Sequence, residues 1–242
     1  MIVMAYDGLS ISQPLPGLWA IDDGEVREYL VMGRERALLF DTGAGPGVAE
    51  IVSDLTELPL YVVNSHAHED HIAGNACFLE IYAHPRAIER MPDSSRMRAV
   101  WEGDVFDLVG TKLEVIECPG HTAGDIALYD RKRNILLSGD LLQSRPVVLD
   151  GSDSDVMAYM QSLRRVRELG GMELRLFPSH GDMPLGIDSL DAVLDCVVDY
   201  LSGRGTTEPF HVVLPGVDVW TRLYAGKKAS ILISADWDNG IR

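Results

Sequence analysis

The chain predicts a layered α/β architecture, on three observations. Five apolar, strand-like runs stop abruptly at Gly, Pro or Ser and then present Asp or His: "RALLFDTG", "LPLYVVNSHAHEDH", "KLEVIECPGH", "NILLSGD" and "LRLFPSHGD". Two later segments carry apolar residues at helical spacing. A chain of 242 residues with 46% hydrophobic content is long enough to bury a sizeable core. In layered α/β folds the strand ends gather at one edge and the loops there carry chemistry. Asp41, the cluster at His66, His121, Asp140 and His180 are therefore expected to converge.

Taken in order, "GLWAI" (17–21), "REYLVMG" (27–33) and "RALLFD" (36–41) read as strands divided by turn residues such as Asp22-Asp23-Gly24. "VAEIVSDL" (48–55) reads as a short helix and "LPLYVVN" (58–64) as a buried strand. Residues 84–104 are polar and mixed, read as a helix interrupted near Pro92. Val156, Met160, Leu163 and Val166 recur every three or four residues, as do Leu190, Val193, Leu194, Val197 and Leu201. Both stripes are core faces of helices rather than cofactor boxes. In the tail, "HVVLPG" and "SILISA" read as strands with "YAGKKAS" as a turn between them. The whole, residues 1–242, is expected to be one domain, with 205–242 a strand-rich C-terminal extension.

Charge and cysteine content exclude several classes. The net charge of −16, from 37 acids against 21 bases, repels phosphate backbones and argues against nucleic acid as a partner. Three cysteines without CxxC spacing fit a reducing cytosol rather than a disulfide framework. The N-terminal stretch lacks the pattern of a signal peptide, and no apolar run approaches the ~18 residues of a membrane span. A cytoplasmic protein follows.

"HAHEDH" (66–71) is the densest chemical feature. His66 and His68, two apart, point the same way on an extended segment, and Asp70 and His71 follow where the chain turns toward "HIAGNACFL". Neutral imidazole suits zinc, and carboxylate adds compensating charge. One ion takes about four ligands, so the segment supplies part of the set for each of two ions; His121, Asp140 and His180 are suitably typed and placed to add the rest. Clustered imidazoles and carboxylates without a metal would leave polar groups poorly paired. His84 and His211 lack such company and read as structural.

"SHAHEDH", "GHTAGD", "SGDLL" and "PSHGD", with "FDTG" upstream, resemble the metallo-beta-lactamase superfamily pattern over roughly residues 15 to 185, closest to its glyoxalase II-like branch. The resemblance implies an αββα four-layer sandwich: two mixed sheets face to face, helices outside, metals at one edge. It implies a first metal held by His66, His68 and His121, a second by Asp70, His71 and His180, and Asp140 bridging them. It places Asp41 behind the ligands, orienting a ligand histidine or the metal loop. Family members mostly use zinc, with iron and manganese also known. The implied chemistry is hydrolysis by a metal-bridging hydroxide, with the ions polarising the substrate oxygen and Asp70 orienting the nucleophile or passing a proton.

Departures from the pattern narrow the substrate. Asp140 stands where the best-known lactamases carry Cys or Ser, which disfavours antibiotic hydrolysis. His68 stands where a flavodiiron-type site has Glu. Nuclease members carry RNA-gripping elements and would sit poorly with the acidic charge. The basic, Gly-rich stretch and helical C-terminal region of glyoxalase II are replaced by "LLQSRPVVLDG" and a strand-like tail, and the Tyr that quorum-signal lactonases use is missing between Asp140 and Val156. Thioester or lactone hydrolysis of a small molecule ranks first and phosphoester cleavage second. A mononuclear iron oxygenase and a non-catalytic metal-binding protein are the readings from other classes, and the full ligand set weighs against both. Arg145, Trp220, Arg222 and Tyr224 are candidates to line the pocket, with Arg145 and Tyr224 as substrate-binding residues. The expected partner is a small molecule, with neither nucleic acid nor membrane, and a homodimer is compatible with the tail.

Overall fold

The computed structural model describes residues 3–6, 8–214, 217–226 and 228–233. Among them the strands form three sheets. The first runs in chain order: β1 (Val3–Tyr6), β2 (Leu9–Leu15), β3 (Leu18–Asp22), β4 (Arg27–Met32), β5 (Ala37–Phe40), β6 (Leu60–Val63), β7 (Ile81–Ala83) and β8 (Met97–Ala99). It is antiparallel up to β5 and parallel from β5 to β8. Helix α1 (Gly47–Leu55) makes the β5-to-β6 crossover, and the one-turn helices α2 (Glu69–Ile72) and α3 (Pro85–Ile88) flank β7.

The second sheet is a meander of β9 (Val105–Asp107), β10 (Lys112–Glu117), β11 (Ile126–Asp130) and β12 (Ile135–Gly139). Beyond β13 (Val147–Leu149), the chain passes through α4 (Val156–Gly170) and returns as β14 (Arg175–Pro178), parallel to β12. After α5 (Ile187–Leu201), the strands β15 (Thr207–Leu214), β16 (Val217–Ala225) and β17 (Ser230–Ile233) join β13 in a third sheet, ordered β13-β17-β16-β15.

The central strands of both large sheets are buried on both faces, and the alternation of side chains shows the layers. Leu38 and Phe40 of β5, with Tyr29 and Val31 of β4, face Leu128 of β11, Ile135 and Leu137 of β12 and Phe177 of β14. The neighbouring Leu30, Ala37 and Leu39 turn outward under Val48, Ile51 and Val52 of α1. On the far side, Ala127, Tyr129 and Leu136 pack against Tyr159 and Leu163 of α4, Leu190 and Val197 of α5, and Ile231 of β17. This is α1, sheet, sheet, then helices, the four-layer order expected. Full burial of each such Leu, Ile or Phe contributes about 1.5–3 kcal/mol, so the strand ends project from a rigid base. Helix α4 starts where Asp155 Oδ1 accepts the N–H groups of Met157 and Ala158, at 2.8 and 3.0 Å.

Residues 84–104 depart from the expected interrupted helix. Only α3 forms before Pro92. After it, Asp93 Oδ1 accepts the N–H of Ser95 at 2.9 Å, and this side-chain turn sends the chain into β8 beside β7. The tail strands agree with expectation, while β1, β2 and β16 were not legible beforehand; the end of the "SILISA" strand and the stretch 234–242 of the extension lie outside the described residues. No helix among the described residues is long and apolar enough to cross a membrane.

Candidate metal centre

Strands β5 and β6 are parallel to each other, and β10, β12 and β14 share one direction in the second sheet. Asp41, Ser65-His66, His121, Asp140 and His180 follow the C-terminal ends of those five strands, so all are delivered to one edge. Asp41 adopts a left-handed backbone, φ 67°, which Asp tolerates better than most residues. That turn brings its carboxylate back to Ser65, whose N–H and Oγ donate to Oδ1 and Oδ2 at 2.7 and 2.8 Å.

The seven predicted ligands meet there. One ligand atom from each of His66, His68 and His121 lies within a common 4.8 Å, as do those of His66, His71 and Asp140, and those of Asp70, His71 and His180. His121 Nε2 and His68 Nδ1 are 3.0 Å apart. Asp140 lies between the groups: its Oδ1 is 3.3 Å from His71 Nε2 and 3.4 Å from His180 Nε2, and its Oδ2 is 3.5 Å from His121 Nε2. Asp70 Oδ2 is 3.4 Å from His180 Nε2 and 3.6 Å from His71 Nε2. The side chain of Asp70 is 45% exposed and that of His71 fully buried, so Asp70 marks the open side.

The rings are held from behind. The outer Nδ1 of His71 meets Asp41 Oδ2 at 2.9 Å. His121 Nδ1 meets the carbonyl of Val148 and His180 Nδ1 the carbonyl of Glu25, each at 2.6 Å. A carbonyl only accepts, so His121 and His180 donate from Nδ1, and Nε2 is the nitrogen each ring turns inward to the cluster. His66 Nδ1 lies 2.9 Å from Ser65 Oγ. Arg27 and Tyr29 of β4 clamp the His180 loop: Arg27 donates to the carbonyls of Pro178 and Gly181 at 3.1 and 2.9 Å, and Tyr29 to that of Pro178 at 2.7 Å.

These residues fit a metal. His66 Nε2, His71 Nε2 and Asp140 Oδ1 are buried without a hydrogen-bond partner, although the outer nitrogens of both rings are anchored. Unpaired buried polar atoms converging on one point are costly unless a cation sits among them. The electrostatics agree. Burial, with His71 and His68 adding to it, holds His66 well below the usual histidine range. Burial and His121 bring His68 down to about 4. Burial opposes charge on His71 and His180 too, yet Asp140 and Asp41 raise His71 to about 9, and Asp140 and Asp70 raise His180 to about 11. Against its burial, His180 and His71 keep Asp140 well below the carboxylate range. The carboxylates thus draw positive charge into the cluster, which a divalent ion would supply at the same place.

Of the candidate pocket residues, Arg145 lines a polar cleft of about 560 Å³ with Gln143, Ser144, Ser189, Lys228 and Ser230, and it pairs with Glu25 at 2.8 Å. None of the seven ligands lines this cleft, but Ser144 on its wall accepts the N–H of Asp182, two residues past His180, at 2.9 Å. Tyr224 is not brought there. It is buried in the core, its ring 5.5 Å from Tyr200 and its hydroxyl bonded to the Arg204 carbonyl. Arg222 is held by Thr207, and Trp220, 69% exposed, stacks on His211. His84 caps α3 and faces Glu117, in keeping with a structural role. Sequence reasoning missed Ser65, Arg27, Tyr29 and the hydrogen-bonded chain from Thr42 through Asn75 and Asn64 to the His71 carbonyl. Ser65, Arg27, Tyr29, Thr42, Asn64 and Asn75 all fall in stretches quoted above, yet none was singled out there.

The family model of the metallo-beta-lactamase superfamily matches residues 23–180. Among curated relatives, "Beta-lactamase-like protein 2 homolog" of Caenorhabditis elegans is 26% identical over 86% of this chain and 73% of its own length. "Acyl-coenzyme A thioesterase MBLAC2" of Gallus gallus is 29% identical over 64% of this chain and 72% of its own length. A "Hydroxyacylglutathione hydrolase" of Synechococcus sp. (strain JA-2-3B'a(2-13)) is 30% identical over 51% of this chain and 53% of its own length. The solved metallo beta lactamase of Erythrobacter litoralis shares the fold, with a TM-score of 0.64 at 22% identity over 82% of this chain and all of that one.

Proposed function

The chain belongs to the metallo-beta-lactamase superfamily, and on that premise we propose that it is a hydrolase that uses two divalent metal ions to cleave a small-molecule thioester, with a lactone or other ester next in rank. The observation that carries this reading is the convergence of His66 Nε2, His71 Nε2 and Asp140 Oδ1, buried and without hydrogen-bond partners, with Ser65 and Asp41 holding the far sides of the two rings. The thioester comes first because relatives over most of this chain or half of it are named for thioester cleavage.

His66, His68 and His121 would hold one ion, Asp70, His71 and His180 the other, and Asp140 both; zinc ranks ahead of iron and manganese for this donor set. Bound there, the pair supplies acidification of a water near neutral pH and polarisation of the scissile carbonyl. Asp41, Val148 and Glu25 keep the imidazole protons on the outer nitrogens and so hold the rings in register. Asp70, on the open side, is placed to receive the proton of the attacking water at its carboxylate and release it toward the departing thiolate. Gln143, Arg145 and Lys228 offer the remote part of the substrate a polar cleft. A mononuclear iron reading would leave Asp70, His71 and His180 without a task. The acidic charge and three free cysteines support a cytoplasmic protein acting on a small molecule.

Elemental analysis of protein purified without added metal or chelator comes first, followed by thioester, lactone and phosphodiester panels. About two zinc or manganese ions per chain, with thioester turnover, supports the reading. One iron per chain, or protein that takes up no metal on titration, would overturn it.

A further inference from the structure

Three of the turns at the edge opposite the metal centre hold a local excess of cations. The turns there, before β5, before β10 and before β12, carry Arg34, Arg36, Lys112, Arg131, Lys132 and Arg133 in a chain whose net charge is −16. Asp107, Glu114 and Asp130 nearby are already held by Lys112, Arg131 and Arg133. Arg36 lies over the Tyr61 ring. Among the described residues Arg34 and Lys132 have no carboxylate within ion-pair distance, and Glu35, the acid of the first turn, has no basic side chain within that distance.

Those two cations line one cavity of about 490 Å³, together with Gly33, Val109, Gly110 and Thr111, and no acid lines it. Its floor is a strained turn. Val109 sits at φ 60° and Gly110 at φ 97°; a β-branched residue in the left-handed region costs on the order of 1–3 kcal/mol and persists only where its surroundings enforce it. Here Val109 N–H donates to Asp107 Oδ1 at 2.9 Å, and Arg34 N–H donates to the Val109 carbonyl at 2.9 Å. The turn thereby fixes the backbone of Arg34 and leaves its guanidinium packed over Gly110, where a Cβ would lie 3.3 Å from Nε.

We propose that this cavity is a second ligand site, separate from the metal centre, which binds the phosphate group of a small phosphorylated molecule between Arg34 and Lys132. A guanidinium fork and an ammonium together suit a dianionic phosphate, and the Thr111 hydroxyl adds a donor. The cavity is open to solvent on one side and exceeds the size of a bare phosphate, leaving room for the rest of a small molecule. On a strongly acidic protein, a concavity lined by two unpaired cations and no acid concentrates anions at that place.

The test is titration of the metal-loaded protein with ribose 5-phosphate and with inorganic phosphate, followed by amide NMR and calorimetry. Both anions are expected to shift the Gly33 and Gly110 amides in a salt-sensitive manner, with Arg34→Ala and Lys132→Ala each weakening affinity about tenfold. Tighter binding of the sugar phosphate would show that the rest of the cavity is used, and equal binding that phosphate alone is recognised. If neither anion shifts those amides up to about 10 mM, the proposal fails. It fails equally if binding survives both substitutions unchanged, because the anion is then at the metal edge. Should Arg34→Ala not fold, Lys132→Ala together with Lys132→Glu, which reverses the charge, decides alone.

Discussion

Asp41 Oδ2 lies 2.9 Å from His71 Nδ1, with both side chains fully buried. The same oxygen accepts from Ser65 Oγ, which also meets His66 Nδ1. One carboxylate thus sets two rings that serve different ligand groups. Asp41→Ala is expected to lower metal affinity about 10–100-fold. Stoichiometric titration should show the weaker ion leaving first, and unchanged affinity for both ions would refute the role given to Asp41.

Asp70→Asn keeps the shape and removes the charge at the open side. Turnover of the preferred thioester is expected to fall about 10²-fold or more, or the ion held by Asp70, His71 and His180 to be lost. Elemental analysis beside the kinetics separates the two. Full activity with both ions retained would remove Asp70 from the mechanism.

Gly120 precedes His121 against helix α4. A Cβ there would lie 2.3 Å from Tyr159 Cα and 2.6 Å from its amide nitrogen. Both are backbone atoms and do not yield cheaply. Gly120→Ala is expected to destabilise the fold by about 2–4 kcal/mol, read as a lower denaturation midpoint, and a midpoint within error of the parent would show that the helix shifts freely.

Glu28, buried in β4, is pushed well above the ordinary carboxyl range by burial, then by Asp23 and Asp41. Its folded-state pKa is therefore higher than its unfolded one. The folded chain holds this proton more tightly, so the contribution of Glu28 to stability declines as pH rises above the unfolded value of 4.5 toward the folded pKa. Glu28→Gln removes that loss. Thermal melts at pH 4.5 and pH 8 should show the variant gaining on the parent at the higher pH only. An equal offset at both would place the ionisation elsewhere.

The site was more legible than its support. Abrupt stops after "ALLF", "YVV", "ILLSG" and "RLFP" mark strand ends, and shared strand direction brings them to one edge. His and Asp at such positions stand out because burying them unpaired is costly. Ser65 and Arg27 gave no such signal, since Ser is ordinary in turns and Arg ordinary on strands. Their roles depend on contacts 24 and 151 residues away in sequence. Strand β16 was missed because most of its partners, on β15, also lie in the weakly patterned tail. Tyr224 looked available for the same reason, until pairing in the third sheet turned it into the core.

The backbone clasps on His180 and His121 have a bearing on biogenesis. His180 is fixed by a carbonyl 155 residues earlier, and His121 by a strand that pairs only with the C-terminal β17. In a chain folding as it leaves the ribosome, "HAHEDH" appears well before His180 and β17, so neither clasp can be seated when the motif first emerges. Until they are seated the ligand histidines are held loosely, and tight metal retention is expected to follow that long-range folding rather than precede it.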